Sequence, residues 1–184
     1  MSIIFKRVLL ILLLIFSING CGSVNYANLH TIEDNPKISK LTKMLIELGG
    51  NPNEARELAV LAVSHSKELA NEYHLVSPPL YHNFLVNSGK RKRGLCFHFV
   101  EDLTKEIKSR NFKSFDFRWG RANADKLNEH NVIVVLKKGS KDFKNGIILD
   151  AWRHSGKLYF TKVKDDPEYN FVPWAEGDRR MATY

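Results

Sequence analysis

The spacing of hydrophobic and polar positions divides the chain into a helical half and a strand half. In the first half, apolar residues recur every three or four positions, which is the spacing of one buried helix face. The predicted helices cover residues 36–49, 52–74, 80–87 and 94–110. After Asn111 the period changes to two, and the predicted strands lie at residues 115–119, 131–136, 146–152 and 157–163. This order predicts an α+β fold in which N-terminal helices pack on an antiparallel sheet of about four strands.

Polar and helix-breaking residues mark where several of these elements begin and end. Asn51 is a candidate N-cap of the second helix, Pro52 suits its first turn, and Glu54 stands where a capping box places an acid. Ser77-Pro78-Pro79 then breaks the helical pattern. The sequence has no internal repeat and no low-complexity tract, so the pattern indicates a single domain.

The N-terminal segment has the pattern of an export signal. Lys6 and Arg7 precede the apolar run Val8–Phe16, which is too short to span a bilayer but suits a signal peptide. The run ends in Ser17-Ile18-Asn19-Gly20-Cys21, where a small residue directly before a cysteine resembles the lipobox of bacterial lipoproteins. The resemblance implies cleavage before Cys21 and acylation of that cysteine, for example with palmitate. The alternative is an ordinary signal peptide that is cut nearby.

These features predict three segments and a location. Residues 1–20 form the signal peptide, residues 21–34 a polar tether, and residues 35–184 a single α+β domain. The predicted location is the cell envelope, with the membrane reached through the lipid on Cys21. If the organism is Gram-negative, Gly22 in place of an aspartate resembles the signal that sorts lipoproteins to the periplasmic face of the outer membrane.

The positive charge does not point to a nucleic-acid partner. The formal net charge is +8, and the densest basic run is Lys90-Arg91-Lys92-Arg93. An exported chain meets little nucleic acid, the run has no interleaved aromatic residues, and the remaining basic residues are dispersed. Two interpretations stay open for the run: a solvated loop, or a contact with an acidic substrate or an anionic envelope polymer.

Cys96 is the candidate nucleophile. Because Cys21 is predicted to carry lipid, Cys96 has no disulfide partner, and an unpaired cysteine in an exported protein suggests a reactive thiol. It stands near the start of a predicted helix, where backbone N–H groups and the helix dipole favour a thiolate and can bind an oxyanion. A buried, inert cysteine is the alternative. No zinc pattern of paired cysteines and histidines is present, so neither a metal nor another cofactor is predicted.

His130 and Asp150 supply the other two groups that thiol catalysis needs. His130 opens a predicted strand and Asp150 lies in the next one, so adjacent antiparallel strands can bring a base and its orienting carboxylate together. Each has an alternative role. His130 suits a surface loop, and Asp150, which interrupts an apolar run, suits a structural ion pair with Arg153 or Lys157.

The order of these residues resembles the transglutaminase-like branch of the papain-like superfamily. In this sequence the resemblance consists of Gly94-Leu95-Cys96 opening a helix, His130 starting a strand, and Asp150 in the run Gly146–Trp152. One departure is Ala151, because the family usually has proline after the acid. The resemblance implies a Cys-His-Asp triad and an upstream polar or aromatic group in the oxyanion hole, for which Tyr81 and Asn83 are the candidates.

Together these observations predict a lipid-anchored thiol enzyme of the cell envelope that hydrolyses or transfers at peptide or amide bonds. The expected substrate is a peptide, a protein or peptidoglycan, and the activity is that of a peptidase, an amidase or a transglutaminase-like acyltransferase. The alternative is a non-catalytic binding or accessory lipoprotein on a papain-like scaffold, since a fold does not determine a function. The sequence leaves the oligomeric state open.

Overall fold

The computed structural model of the chain describes residues 22–26 and 35–182. This part contains five α-helices: α1 (Pro36–Glu47), α2 (Pro52–Glu72), α3 (Pro79–Asn87), α4 (Cys96–Ser109) and α5 (Ala175–Ala182). Its seven strands are β1 (Gly22–Ser23), β2 (Val76–Ser77), β3 (Phe115–Ala122), β4 (His130–Lys137), β5 (Ile147–Asp150), β6 (Tyr159–Lys162) and β7 (Val172–Pro173). Across these ranges no helix has the length and apolar character needed to cross a bilayer. The predicted signal peptide and Cys21 lie outside the described residues.

The strands form two antiparallel sheets, and the predicted α+β class is confirmed. The larger sheet has the order β6-β5-β4-β3-β7, and a separate two-stranded sheet joins β1 to β2. The four predicted strands correspond to β3, β4, β5 and β6. The fifth, β7, pairs with β3 through Gly120 and Arg121. Helix α5 follows the strands and was not predicted; Asp178 ties it to the sheet by accepting the backbone N–H of Trp119 at 2.7 Å.

Helix α2 begins at the predicted cap, but Glu54 has a different partner from the one expected. The side-chain oxygen of Asn51 accepts the N–H of Asn53 at 2.9 Å, and Pro52 occupies the first turn. Glu54 does not reach back to Asn51 to complete a capping box. Its carboxylate instead accepts the N–H groups of Lys113 at 2.9 Å and Ser114 at 2.7 Å. The start of α2 is therefore tied to the start of β3.

Strand β4 is buried on both faces, which explains its almost unbroken apolar sequence. Ile133 and Val135 face the main core, where the helices α1, α2 and α4 cover one side of the sheet. Val132 and Val134 face a smaller core on the other side, together with Phe171. The start of β4, where His130 stands, consequently lies inside the protein.

Strand β5 ends at Asp150, two residues earlier than predicted. One carboxylate oxygen of Asp150, Oδ1, accepts the N–H groups of Trp152 and Arg153, each at 3.0 Å. Such local acceptance by an aspartate turns the chain and removes these N–H groups from strand pairing. The same side chain that interrupts the apolar run therefore also terminates the strand.

Residues 22–26, which the sequence assigns to the tether, lie along the domain. Gly22 pairs with Ser77 and the N–H of Val24 donates to Leu75 O at 2.8 Å. The Tyr26 hydroxyl donates to Ser155 O at 2.7 Å, so this N-terminal segment contacts a residue 129 positions later in the sequence. The first described residues are thus held by backbone pairing and by one buried aromatic contact.

Candidate active site

The turn before α4 presents Cys96 at the helix start. Cys96 is the first helical residue, so its N–H and that of Phe97 have no partner within the helix. The helix dipole adds a positive potential at this position. The candidate site therefore has two unpaired backbone donors at the helix start.

His98 shapes this turn and is not a partner of the thiol. Its Nδ1 accepts the N–H groups of Gly94 at 3.1 Å and Leu95 at 3.2 Å. Burial, assisted by the charge of Arg93, lowers the pKa of His98 to about 4, so the ring is neutral and can accept at neutral pH. The histidine nearest to Cys96 in sequence is thereby committed to capping the helix.

Gly94 is required where the loop crosses a buried histidine. Its φ is +121°, and a Cβ at this position would lie 2.2 Å from Nε2 of His82. His82 is fully buried; its Nδ1 accepts the N–H of Val76 at 3.1 Å and its Nε2 donates to Arg93 O at 2.9 Å. Burial lowers the pKa of His82, which keeps the ring in this neutral, two-partner form. His82 therefore joins α3 to the loop that precedes Cys96.

Replacing Gly94 with alanine is expected to lower the free energy of unfolding by about 2–4 kcal/mol, because the new Cβ adds a collision with His82 to a strained φ. Gly89→Ala is the matched control: its φ is +75°, and a Cβ at this position would meet no other atom within 4 Å. The control should lose only about 1–2 kcal/mol. Urea unfolding of both variants measures the difference, and equal losses would contradict the proposed contact.

His130 and Asp150 form a buried ion pair at the ends of adjacent strands. His130 begins β4 and Asp150 ends β5, and Nε2 of the ring lies 2.7 Å from Oδ2 of the carboxylate. Each side chain is 1% exposed. Burial alone would lower the pKa of His130, but the charge and hydrogen bond of Asp150 outweigh it and raise this pKa. Burial opposes ionisation of Asp150 as well, yet His130 and Arg153 hold its pKa below the ordinary value.

The Asp150 carboxylate is fixed by Arg153 in addition to His130. Arg153 Nε donates to Oδ2 of Asp150 at 2.9 Å, and the far end of the guanidinium pairs with Asp166 at 2.7 Å. The guanidinium lies over the rings of Tyr159 and Tyr169, at 4.2 and 4.9 Å from their centroids. The structural ion pair that the sequence offered as an alternative is thus present together with the contact to His130.

The His130 ring also lies near the thiol of Cys96. Nδ1 is buried and, within the part of the chain that the structure describes, has no hydrogen bond of regular geometry. The Cys96 thiol lies close enough to the ring to raise the pKa of His130 further. The imidazole therefore lies between a fixed carboxylate and the sulfur, and the structure brings together all three residues of the predicted triad.

Asn131 is a site residue that the sequence analysis missed. Its Nδ2 points to Sγ of Cys96 at 3.7 Å, and its Oδ1 accepts the indole N–H of Trp119 at 2.8 Å. The bond to Trp119 fixes which end of the amide faces the sulfur. The signal in the sequence is a polar residue directly after His130, at the head of a strand that is otherwise apolar.

The two oxyanion candidates lie in different environments on α3. Asn83 Oδ1 accepts the indole N–H of Trp152 at 3.0 Å, and the Trp152 ring lies 4.9 Å from that of His130. Asn83 is therefore one side chain away from the imidazole. Tyr81 is on the outer surface, where its ring stacks on that of Phe84.

Aromatic side chains close the site. The His130 ring contacts those of Tyr169 at 4.7 Å and Phe171 at 5.7 Å, in addition to Trp152. Cys96 is 9% exposed. Both the imidazole and the sulfur are therefore largely shielded from solvent.

Comparisons with protein-family models, with curated proteins and with solved structures found no match for this chain. In residues 22–26 and 35–182, no group of three histidine, cysteine, aspartate or glutamate side chains is placed to hold a metal ion. Its function is therefore inferred from the geometry around Cys96, His130 and Asp150.

Proposed function

We propose that the chain is a lipid-anchored thiol enzyme of the cell envelope that acts on peptide or amide bonds. Cys96 is the nucleophile, His130 the base and Asp150 the group that orients it, on a papain-like scaffold. The observation that carries the proposal is the position of the His130 ring between a fully buried carboxylate and a thiol at a helix start. This is the arrangement by which a base activates a sulfur nucleophile.

A purely structural role explains this arrangement poorly. Burying an ion pair usually stabilises a protein no more than apolar residues of similar volume. An unpartnered buried nitrogen, as at Nδ1 of His130, costs about 1–3 kcal/mol. Buried ionisable residues with shifted pKa values that are grouped around one thiol are typical of catalytic sites.

The reaction begins with attack of the Cys96 thiolate on the carbonyl carbon while His130 carries the proton. The N–H groups at the start of α4 and the Asn131 amide are the donors nearest to the sulfur, and they suit the developing oxyanion. His130 then gives its proton to the leaving amine, the C–N bond breaks and a thioester forms. Water or a second amine attacks the thioester, His130 takes up its proton, and the Cys96 thiolate is released.

The acceptor determines the class of activity. Water as acceptor makes the chain a peptidase or an amidase, whereas an amine as acceptor makes it a transglutaminase-like acyltransferase. The proposed substrates are envelope peptides, proteins or peptidoglycan, because the lipid predicted on Cys21 would hold the domain in that compartment. Cys21 itself lies outside the described residues.

A non-catalytic accessory lipoprotein is the second candidate, and the closed site favours it. The space beside Cys96 is too narrow to admit even a water molecule. Ligand pockets usually measure about 300–1,000 Å³, so this space does not hold a substrate without rearrangement. In this alternative Cys96 is a packed core residue.

The alkylation rate of Cys96 distinguishes the two candidates. In the fragment of residues 22–184, we expect iodoacetamide to modify Cys96 at pH 7 while the fragment is folded. We expect His130→Ala to slow the reaction by about tenfold or more, because the cationic imidazole no longer stabilises the thiolate. His154→Ala, which removes an exposed histidine, is the matched control and should leave the rate unchanged. Mass spectrometry gives the rate, and circular dichroism verifies that each variant is folded.

If Cys96 reacted only after unfolding, in the wild-type protein and in both variants, the result would contradict the proposed enzymatic function. The non-catalytic role of an accessory lipoprotein would then be the function that remains.

A further inference from the structure

Helix α3 has an apolar face that the described domain does not cover. Leu80 is 70% exposed, Phe84 59% and Tyr81 41%. Leu80 and Phe84 are four positions apart on the helix, and the Tyr81 ring stacks on that of Phe84, so the three side chains form one patch. Large apolar side chains grouped in this way usually mark a contact surface.

Two unpaired cations lie in the loop that directly follows this helix. The loop after α3 folds back onto the helix, because the N–H of Lys90 donates to Leu85 O at 2.9 Å. Lys90 and Lys92 are exposed, and neither ammonium group has an ion pair or hydrogen bond within residues 22–26 and 35–182. Arg93, by contrast, is neutralised by Glu101 and Asp102. The loop therefore offers the two lysines, and not the whole basic run, to a partner.

The chain enters the domain at the opposite end of the same helix. Gly22 pairs with Ser77, which directly precedes Pro78, the N-cap residue of α3. Cys21 is bonded to Gly22, so a lipid on Cys21 would be attached within one residue of this strand pair. A helix of nine residues is about 13 Å long. The attachment point therefore lies just before this short helix, the apolar patch lies on it, and the lysines lie just after it.

We propose that α3 and the lysine loop lie on an anionic lipid surface. This inference goes beyond the proposed activity and is independent of whether Cys96 reacts. Leu80, Tyr81 and Phe84 enter the boundary between headgroups and acyl chains, and Lys90 and Lys92 contact anionic headgroups. An apolar helix face flanked by lysine is the pattern of helices that lie in a membrane interface. The lipid on Cys21 holds the chain at the bilayer, and α3 sets which side of the domain faces it.

Tryptophan quenching by brominated phospholipids tests this orientation in the full-length, lipid-bearing protein. One variant, Phe84→Trp, places the reporter on the proposed surface. The matched control, Leu127→Trp, places it at a fully exposed position in the loop between β3 and β4. Each is reconstituted into vesicles of phosphatidylcholine alone or with phosphatidylglycerol, and its signal is corrected for that of the wild-type protein.

We expect strong quenching of the reporter at position 84 and none at position 127, in vesicles that contain phosphatidylglycerol. Combining Phe84→Trp with Lys90→Ala and Lys92→Ala should weaken the docking equilibrium by about fivefold for each lysine, because each cation near an anionic surface contributes about 1 kcal/mol. High salt should act in the same direction.

Three results would overturn the proposal. Equal quenching at positions 84 and 127 would show that the domain has no fixed side toward the bilayer. An unquenched reporter at position 84 whose emission shifts with protein concentration would assign the patch to a second copy of the chain. An unquenched reporter that shifts only when soluble peptidoglycan fragments are added would assign it to substrate binding.

Discussion

Replacing Asp150 with alanine is expected to lower the free energy of unfolding by about 3–5 kcal/mol, because removing one partner leaves buried charges without compensation. His130 loses the acceptor at Nε2, and Arg153 loses one of its carboxylate partners. The N–H groups of Trp152 and Arg153 also lose the oxygen that turns the chain after β5. Urea unfolding at pH 7 measures the loss.

Two further substitutions separate the charge of Asp150 from its local turn. Asp150→Asn retains an oxygen for the two N–H groups but removes the charge, so its loss should be intermediate. Asp142→Ala removes an exposed aspartate that accepts the N–H of Asn145 in a similar local turn at 3.2 Å, and should cost much less than Asp150→Ala. If Asp150→Ala cost no more than Asp142→Ala, the buried ion pair would have no role in stability.

The contribution of His130 to stability is expected to fall as the pH rises. Its pKa in the folded protein is raised above the ordinary value of 6.5. A group of this kind contributes fully below about pH 6.5, and the contribution is lost as the pH rises through the folded-state pKa. Asp150, whose pKa is lowered, behaves in the opposite way: it contributes above about pH 4 and loses its contribution on acidification. The pair should therefore stabilise the fold most between about pH 4 and 6.5.

A pair of proteins in the Cys96→Ala background measures this effect without titration of the thiol. One retains His130 and the other carries His130→Gln. Between pH 6 and 9 the difference in their free energies of unfolding should shrink by on the order of 2–3 kcal/mol, with a slope no steeper than about 1.4 kcal/mol per pH unit for a single proton. Parallel curves across this range would contradict a histidine that is protonated in the fold.

Periodicity predicted the elements whose side chains alternate between a core and another environment. Strand β3 and helices α1, α2 and α4 have such a signal, whereas β4 and β5 are marked by apolar runs because they are buried on both faces. Helix α5 is short and strongly polar, with only Gly177 and Met181 buried among its described residues, so no apolar stripe marks it. Strands β1 and β7 have two residues each and are held by backbone pairing, which leaves no pattern in the side chains.

The candidate site was likewise predictable from the sequence only in part. Cys96, His130 and Asp150 can be selected from the sequence because thiol catalysis demands those residue types near the ends of elements. The contacts that fix them depend on residues brought together only by folding. Trp119 sets the direction of the Asn131 amide, and Asp166 holds the far end of Arg153. No local sequence pattern indicates either contact.

The pairing of Gly22 with Ser77 limits how far the proposed catalytic centre could extend from a lipid on Cys21. A flexible tether of about a dozen residues would give the domain an average reach of about 20 Å from the membrane. With the chain held along the domain from Gly22 to Tyr26, a lipid on Cys21 would leave almost none of that reach. The proposed enzyme would then move sideways with the bilayer and meet substrates at its surface, and substrates deeper in the proposed envelope compartment would have to diffuse to it.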